Sequence, residues 1–114
     1  MNILVVGDVV GKPGVYAIKT KLPMLKKEYD ADFVIVNGEN SADGMGITKV
    51  ILETLYDSGA DVVTMGNHTW GKKDIFSFID EEKNLIRPAN YPDGLPGNGS
   101  TIVNCKNKKI GVID

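Results

Sequence analysis

At 114 residues, 42% hydrophobic and 25% charged, the chain has the size and composition of one small globular domain. A formal net charge of −2 excludes the basic footprint that duplex nucleic acid requires, while leaving a small phosphate ligand open. The single Cys105 excludes an internal disulfide framework, and the opening MNILVV has neither a basic flank nor the length to span a bilayer, so the reading is cytoplasmic with no membrane partner.

Ile3 to Val6 form an apolar run bounded by Gly7-Asp8, the pattern of a buried parallel strand. From Gly14 the period changes. Val15, Ile18, Leu22, Leu25 and Tyr29 recur at steps of three and four, which predicts a helix. Pro23 lies inside it and predicts a kink or break near Leu22. Phe33 to Val36 is a second strand, ending in Asn37-Gly38-Glu39-Asn40. After the glycine-rich SADGMG, the residues Ile47, Val50, Ile51 and Leu55 predict a second helix, closed by Ser58-Gly59. Asp61 to Met65 is a third strand and runs into Gly66-Asn67-His68. A shorter helix is expected around Asp74 to Ile79, and a fourth strand at Ile86 to Ala89. NYPDGLPGNGS concentrates turn signals. A hairpin closes the chain: Thr101 to Cys105, a turn at Lys106 to Lys108, then Lys109 to Ile113. The order β-α-β-α-β-α-β plus a β-hairpin predicts an α/β fold with a parallel sheet and right-handed crossovers. Such a sheet needs both faces covered, a task that falls here to the crossover helices.

Each of the three best strands ends in a glycine followed by a polar or metal-capable side chain: Gly7-Asp8, Gly38-Glu39-Asn40 and Gly66-Asn67-His68. In open parallel sheets, ligands bind beyond the carboxyl ends of the strands. Asp8, Glu39, Asn40, Asn67 and His68 are therefore expected on one rim. Oxygen donors of this kind suit Mn, Mg or Fe(II). A two-metal site clamps a phosphoryl group and generates a hydroxide nucleophile, and His68 could act as general acid. Each residue taken singly also has an ordinary role. Asp8 could N-cap the segment after the first strand, and Glu39 could be a solvated turn residue. Asn40 and Asn67 are common loop residues, and a lone histidine is more often a surface or supporting residue than a catalyst. Trp70 and Cys105 read as packing residues. The conjunction at three strand ends carries the argument.

Rival phosphate motifs fail. GDVVGKP has three residues between its glycines instead of four, and Pro13 stands where a P-loop has Ser or Thr. DGMG lacks the third glycine of a dinucleotide fingerprint, and no G-x-S-x-G elbow occurs.

GDVVGKPG, VNGENSADGMGIT and TMGNHTW, in that order on successive βα units, resemble the metallophosphoesterase (calcineurin-like) superfamily, and within it the bacterial YmdB-like branch. The resemblance runs over essentially the whole chain. It implies a dinuclear metal phosphodiesterase acting on small nucleotides such as 2′,3′-cyclic ones. It places Asp8 on the first metal, Glu39 in the bridging position, Asn40 beside it, Asn67 on the second metal and His68 as catalytic acid. Val10 stands where the wider superfamily often has a histidine, as in the YmdB-like variant. The family's domain is a two-sheet α/β sandwich about twice this long, with further histidine ligands in its second half, whereas no histidine follows His68 here. The expectation is therefore the N-terminal portion of one such domain, with two divalent ions (Fe, Mn or Mg) in the parent protein and an incomplete ligand set here. A leftover apolar face would make the chain self-associate or pair with its missing half. The alternatives are a non-catalytic half-domain binding phosphate or one cation, and a nucleotide-binding α/β module of another family.

Overall fold

A computed structural model describes all 114 residues. Strands β1 (Ile3–Val6), β2 (Phe33–Asn37), β3 (Val62–Thr64) and β4 (Leu85–Ile86) form a parallel sheet in the order β1-β2-β3-β4. β5 (Ser100–Cys105) and β6 (Lys108–Ile113) form a separate antiparallel pair. The predicted α/β class and the hairpin are both observed. The hairpin turn is Lys106-Asn107, both left-handed at φ 46° and 63°, as a two-residue type I′ connection requires.

Helix α1 (Gly11–Glu28) and helix α2 (Lys49–Asp57) pack against each other on the same face of the sheet. The expectation that crossover helices cover both faces is wrong. A sequential strand order with uniformly right-handed crossovers puts every crossover on one side. Val34, Val36, Val63 and Leu85 point to that side and share a core with Leu22, Leu52 and Leu55. The alternate residues Phe33, Val62 and Ile86 meet Val112, with Val103, Cys105 and Ile110 alongside, so the hairpin covers the second face. Parallel register sets Ile3 beside Phe33 and Val5 beside Ile35, on the hairpin side, yet both stay exposed on the edge strand, Val5 by 66%. Ile102 and Ile113 are exposed on the hairpin's outer face. The expected leftover apolar surface is thus present.

Three predicted elements differ. α1 begins at Gly11 and runs unbroken through Pro23. The missing N–H orphans the Lys19 carbonyl, but both residues are exposed, so water can serve it. The third helix is replaced by 3₁₀ turns at Lys73–Ser77 and Ile79–Glu81. These bury Ile75, Phe78 and Ile79 at a spacing that one long helix and two tight turns both satisfy. β4 is only Leu85–Ile86, because Arg87 leaves the ladder. Its N–H donates to the Asn98 carbonyl, and its buried guanidinium donates to the carbonyls of Pro96 (2.8 Å) and Pro88 (3.1 Å). One arginine thereby fixes the proline- and glycine-rich loop.

Capping residues set the remaining register. The Thr48 hydroxyl accepts from the Ile51 N–H at the start of α2, and the Asp61 carboxylate accepts from Val34 N–H at 2.8 Å. The Asp32 carboxylate, at the entry to β2, accepts from the Lys106 ammonium and from the Asn2 N–H. The lysine contact first, then the Asn2 bond, hold the Asp32 carboxyl below its ordinary value of 3.8. A depressed acid stabilises the fold above its unfolded value, and that contribution is lost as pH falls through the folded value. Acid titration followed by circular dichroism should therefore show a smaller loss for Lys106→Met than for the parent below about pH 4. Superimposable acid limbs would remove this ion pair from the account.

Candidate active site

The carboxyl ends of β1, β2 and β3 carry the predicted residues onto one rim. Asp8 follows Gly7 in a left-handed conformation, φ 51°, which turns the chain out of the strand. It is not a helix cap: Val10 occupies that position and makes no side-chain capping bond. Instead, Asp8 Oδ1 accepts from Asn40 Nδ2 at 2.7 Å. The Asn40 carbonyl in turn accepts from Gly11 N–H at 2.9 Å, which ties the loop after β2 to the start of α1.

The other end of the Asn40 carboxamide lies 2.5 Å from His68 Nδ1. An amide oxygen only accepts, so Nδ1 carries the hydrogen and Nε2 remains free for proton transfer. The reverse orientation of Asn40 would set its oxygen against the Asp8 carboxylate. Asp8, Asn40 and His68 are therefore one chain of hydrogen bonds across strand ends that lie 60 residues apart in sequence.

Glu39 braces the histidine turn. Its Oε2 accepts from the His68 N–H at 3.1 Å and lies 3.6 Å from His68 Nδ1, an ion-pair distance when the ring is protonated. Its Oε1 accepts from Asn37 Nδ2 at 3.4 Å, and Asn37 also donates to the Thr64 hydroxyl at 3.2 Å. Gly66 is required here. Its φ is +50°, and a Cβ at that position would fall 2.5 Å from Glu39 Oε1. The carboxylate occupies the space that any other residue would fill. The Glu39 side chain is only 18% exposed and that of His68 32%, so both are half-sheltered yet reachable.

Asn67 lies on the same 3₁₀ turn, Gly66–His68, but it is exposed and no hydrogen bond joins it to the others. The rim thus assembles Asp8, Glu39, Asn40 and His68, with Asn67 adjacent and unengaged. No group of three His, Cys, Asp or Glu side chains lies close enough to hold a metal ion. The donors present are carboxylate and amide oxygens, the chemistry of a hard divalent cation, and Asp8 Oδ2 and the Asn67 carboxamide are uncommitted.

Sequence reasoning missed two supporting residues. Asn37 has the sequence pattern of a turn residue and nothing more. Asp114 carried no signal at all, yet its Oδ2 accepts from the N–H groups of Met65 (2.9 Å) and Gly66 (2.8 Å), the residues that launch the histidine turn.

Comparison with known proteins identifies the family. The sequence profile described as "YmdB-like protein" matches residues 4–114. Over 114 residues the chain is 54% identical to the 2′,3′-cyclic-nucleotide 2′-phosphodiesterase of Bacillus subtilis (strain 168), covering 100% of this chain and 43% of that protein. A crystal structure of a hypothetical protein from Thermus thermophilus superposes with a TM-score of 0.91 at 35% identity, covering 99% of this chain and 44% of the other. That of a phosphatase from Mycoplasma pneumoniae superposes at 0.89 and 37% identity, covering 97% and 41%. The chain spans less than half the length of the relatives it matches. The profile match over residues 4–114 and the 54% identity over the whole of this chain show its membership: the chain belongs to the YmdB-like family.

Proposed function

We propose that the protein to which this chain contributes the N-terminal portion of a single domain is a metal-dependent phosphodiesterase acting on small phosphodiesters such as 2′,3′-cyclic nucleotides. The observation that carries this reading is the Asp8–Asn40–His68 relay on a turn braced by Glu39. The name of the Bacillus subtilis relative supports the substrate class. Two divalent ions, of Fe, Mn or Mg, would supply the nucleophile and neutralise charge on the phosphoryl oxygens when bound. Asp8, Glu39, Asn40 and Asn67 provide the oxygens to hold them. Asn40 holds the hydrogen on His68 Nδ1, so that Nε2 is the nitrogen left to exchange a proton. As the P–O bond to the leaving ribose oxygen breaks, that oxygen takes the Nε2 proton of the doubly protonated His68 ring, which returns to the neutral form with its hydrogen on Nδ1. Glu39 and Asn37 keep the imidazole from rotating away.

Residues 1–114 alone should turn over slowly or not at all, since they offer one histidine and mostly oxygen donors. The exposed Ile3, Val5, Ile102 and Ile113 are the surfaces the remainder of the domain would cover, or on which the isolated chain would self-associate. No helix is long and apolar enough to cross a membrane. The free Cys105 fits a cytoplasmic setting.

His68→Ala in the full-length protein tests the acid role. Turnover of 2′,3′-cyclic AMP should fall on the order of 10²- to 10⁴-fold, with bound metal unchanged. A p-nitrophenyl phosphodiester, whose leaving group needs no proton, should lose much less. Equal losses on both substrates, or no loss on either, would refute this role.

A further inference from the structure

We infer that the cleft between α1 and α2 is a second ligand site, distinct from the active site, and that it takes a nucleoside monophosphate. The cavity holds about 410 Å³, within the range of small-molecule sites. On α1, Lys12, Tyr16 and Lys19 stand at i, i+4 and i+7, one face of the helix, with the lysines about 10 Å apart along its axis. Thr48 and Ile51 of the α2 segment form the opposite wall. The chain's ion pairs engage Lys49, His68, Lys72 and Lys106, so both cleft lysines are unpaired. The one carboxylate in the lining, Asp43, is already matched by Lys72 at 3.8 Å. The cleft is therefore locally cationic in a chain of net charge −2. Tyr16 is 70% exposed, which leaves its ring available to a base. The Thr48 hydroxyl accepts from Ile51 N–H, which leaves its own hydrogen free for a ribose or phosphate oxygen. An ammonium for the phosphate, a ring for the base, a hydroxyl between and an aliphatic wall are what a mononucleotide needs.

The floor of the cleft is Ser41 to Asp43, the residues immediately after Glu39-Asn40. An occupant would press on the loop that carries both. The reaction proposed above releases a nucleoside monophosphate, so the cleft would sense product; that link rests on the proposed function, whereas the charge and shape of the cleft do not. The test is calorimetry on the full-length protein in EDTA, which silences metal-dependent binding, with adenosine monophosphate, inorganic phosphate and adenosine as separate probes. The monophosphate should bind with Kd at or below about 1 mM and more tightly than either fragment. The exposed double reversal Lys12→Glu/Lys19→Glu should weaken it at least tenfold, Tyr16→Ala should weaken it less, and His68→Ala should leave it unchanged. Absence of binding, or binding that His68→Ala weakens as much as the double reversal does, overturns the assignment. A protein that binds the monophosphate this way yet hydrolyses no phosphodiester would overturn the proposed function and leave the cleft site standing.

Discussion

Glu39→Gln in the full-length protein should lower kcat/KM for a 2′,3′-cyclic nucleotide on the order of 10²- to 10³-fold while leaving the fold nearly intact. The two side chains have almost the same shape, so packing against Gly66 survives. What changes is the hydrogen-bonding chemistry. The carboxylate accepts on both oxygens, from Asn37 Nδ2 and from His68 N–H. A carboxamide has one acceptor oxygen and sets an NH₂ against one of those donors. Asn37 can relieve the conflict by turning its own amide, since the Thr64 hydroxyl can donate as well as accept. Stability should then drop by only about 1 kcal/mol. The charge is not recoverable. The side chain that would hold the metal becomes neutral, and the metal content of the purified variant, measured by mass spectrometry, should fall with activity. A Glu39→Gln protein that retains both its metal and its turnover would remove Glu39 from the ligand set. Glu39→Ala is a poorer probe, because it also empties the space against Gly66 and frees the histidine turn.

The parts of this molecule that sequence made legible are those whose cause is local. Apolar runs bounded by glycine point to β1, β2 and β3, and the turn expected at Lys106 to Lys108 falls at Lys106-Asn107, because strand burial and turn chemistry act over a few residues. The rim was legible for the same reason, since parallel strands deliver their carboxyl ends to one edge whatever lies between them. The failures have different causes. Pro23 misled because its cost depends on exposure of the Lys19 carbonyl, which sequence does not state. The segment after His68 misled because Ile75, Phe78 and Ile79 satisfy two geometries at once. Asp8 has the sequence setting of a cap and is instead the anchor of Asn40. That bond spans 32 residues and is set by tertiary packing. Asn67 fits the motif by neighbourhood only, and its predicted role as a ligand has no contact to rest on in the chain itself.

Asp114→Ala should destabilise the protein by about 2 kcal/mol. The carboxylate accepts two backbone N–H groups, those of Met65 and Gly66, and Met65 is fully buried. Charge-assisted bonds of this kind exceed neutral ones; Met65 N–H keeps its second acceptor, the Ile86 carbonyl, so removing the carboxylate leaves the Gly66 N–H without a partner at the point where β3 turns into Gly66-Asn67-His68. The backbone of Asp114 also bridges the loop after β4: its N–H donates to the Gly99 carbonyl, and its carbonyl accepts from Ala89 N–H. β6 thus runs straight into a residue that joins the hairpin layer to the histidine turn across 48 residues of sequence. Asp114→Asn retains an oxygen that can accept both N–H groups, so it should cost about 1 kcal/mol, the difference between charged and neutral acceptors. Urea unfolding of the full-length protein and both variants separates these values. If Ala and Asn cost the same, the carboxylate is not the anchor; if Ala alone is costly and also lowers turnover, the second layer of the fold sets the position of His68.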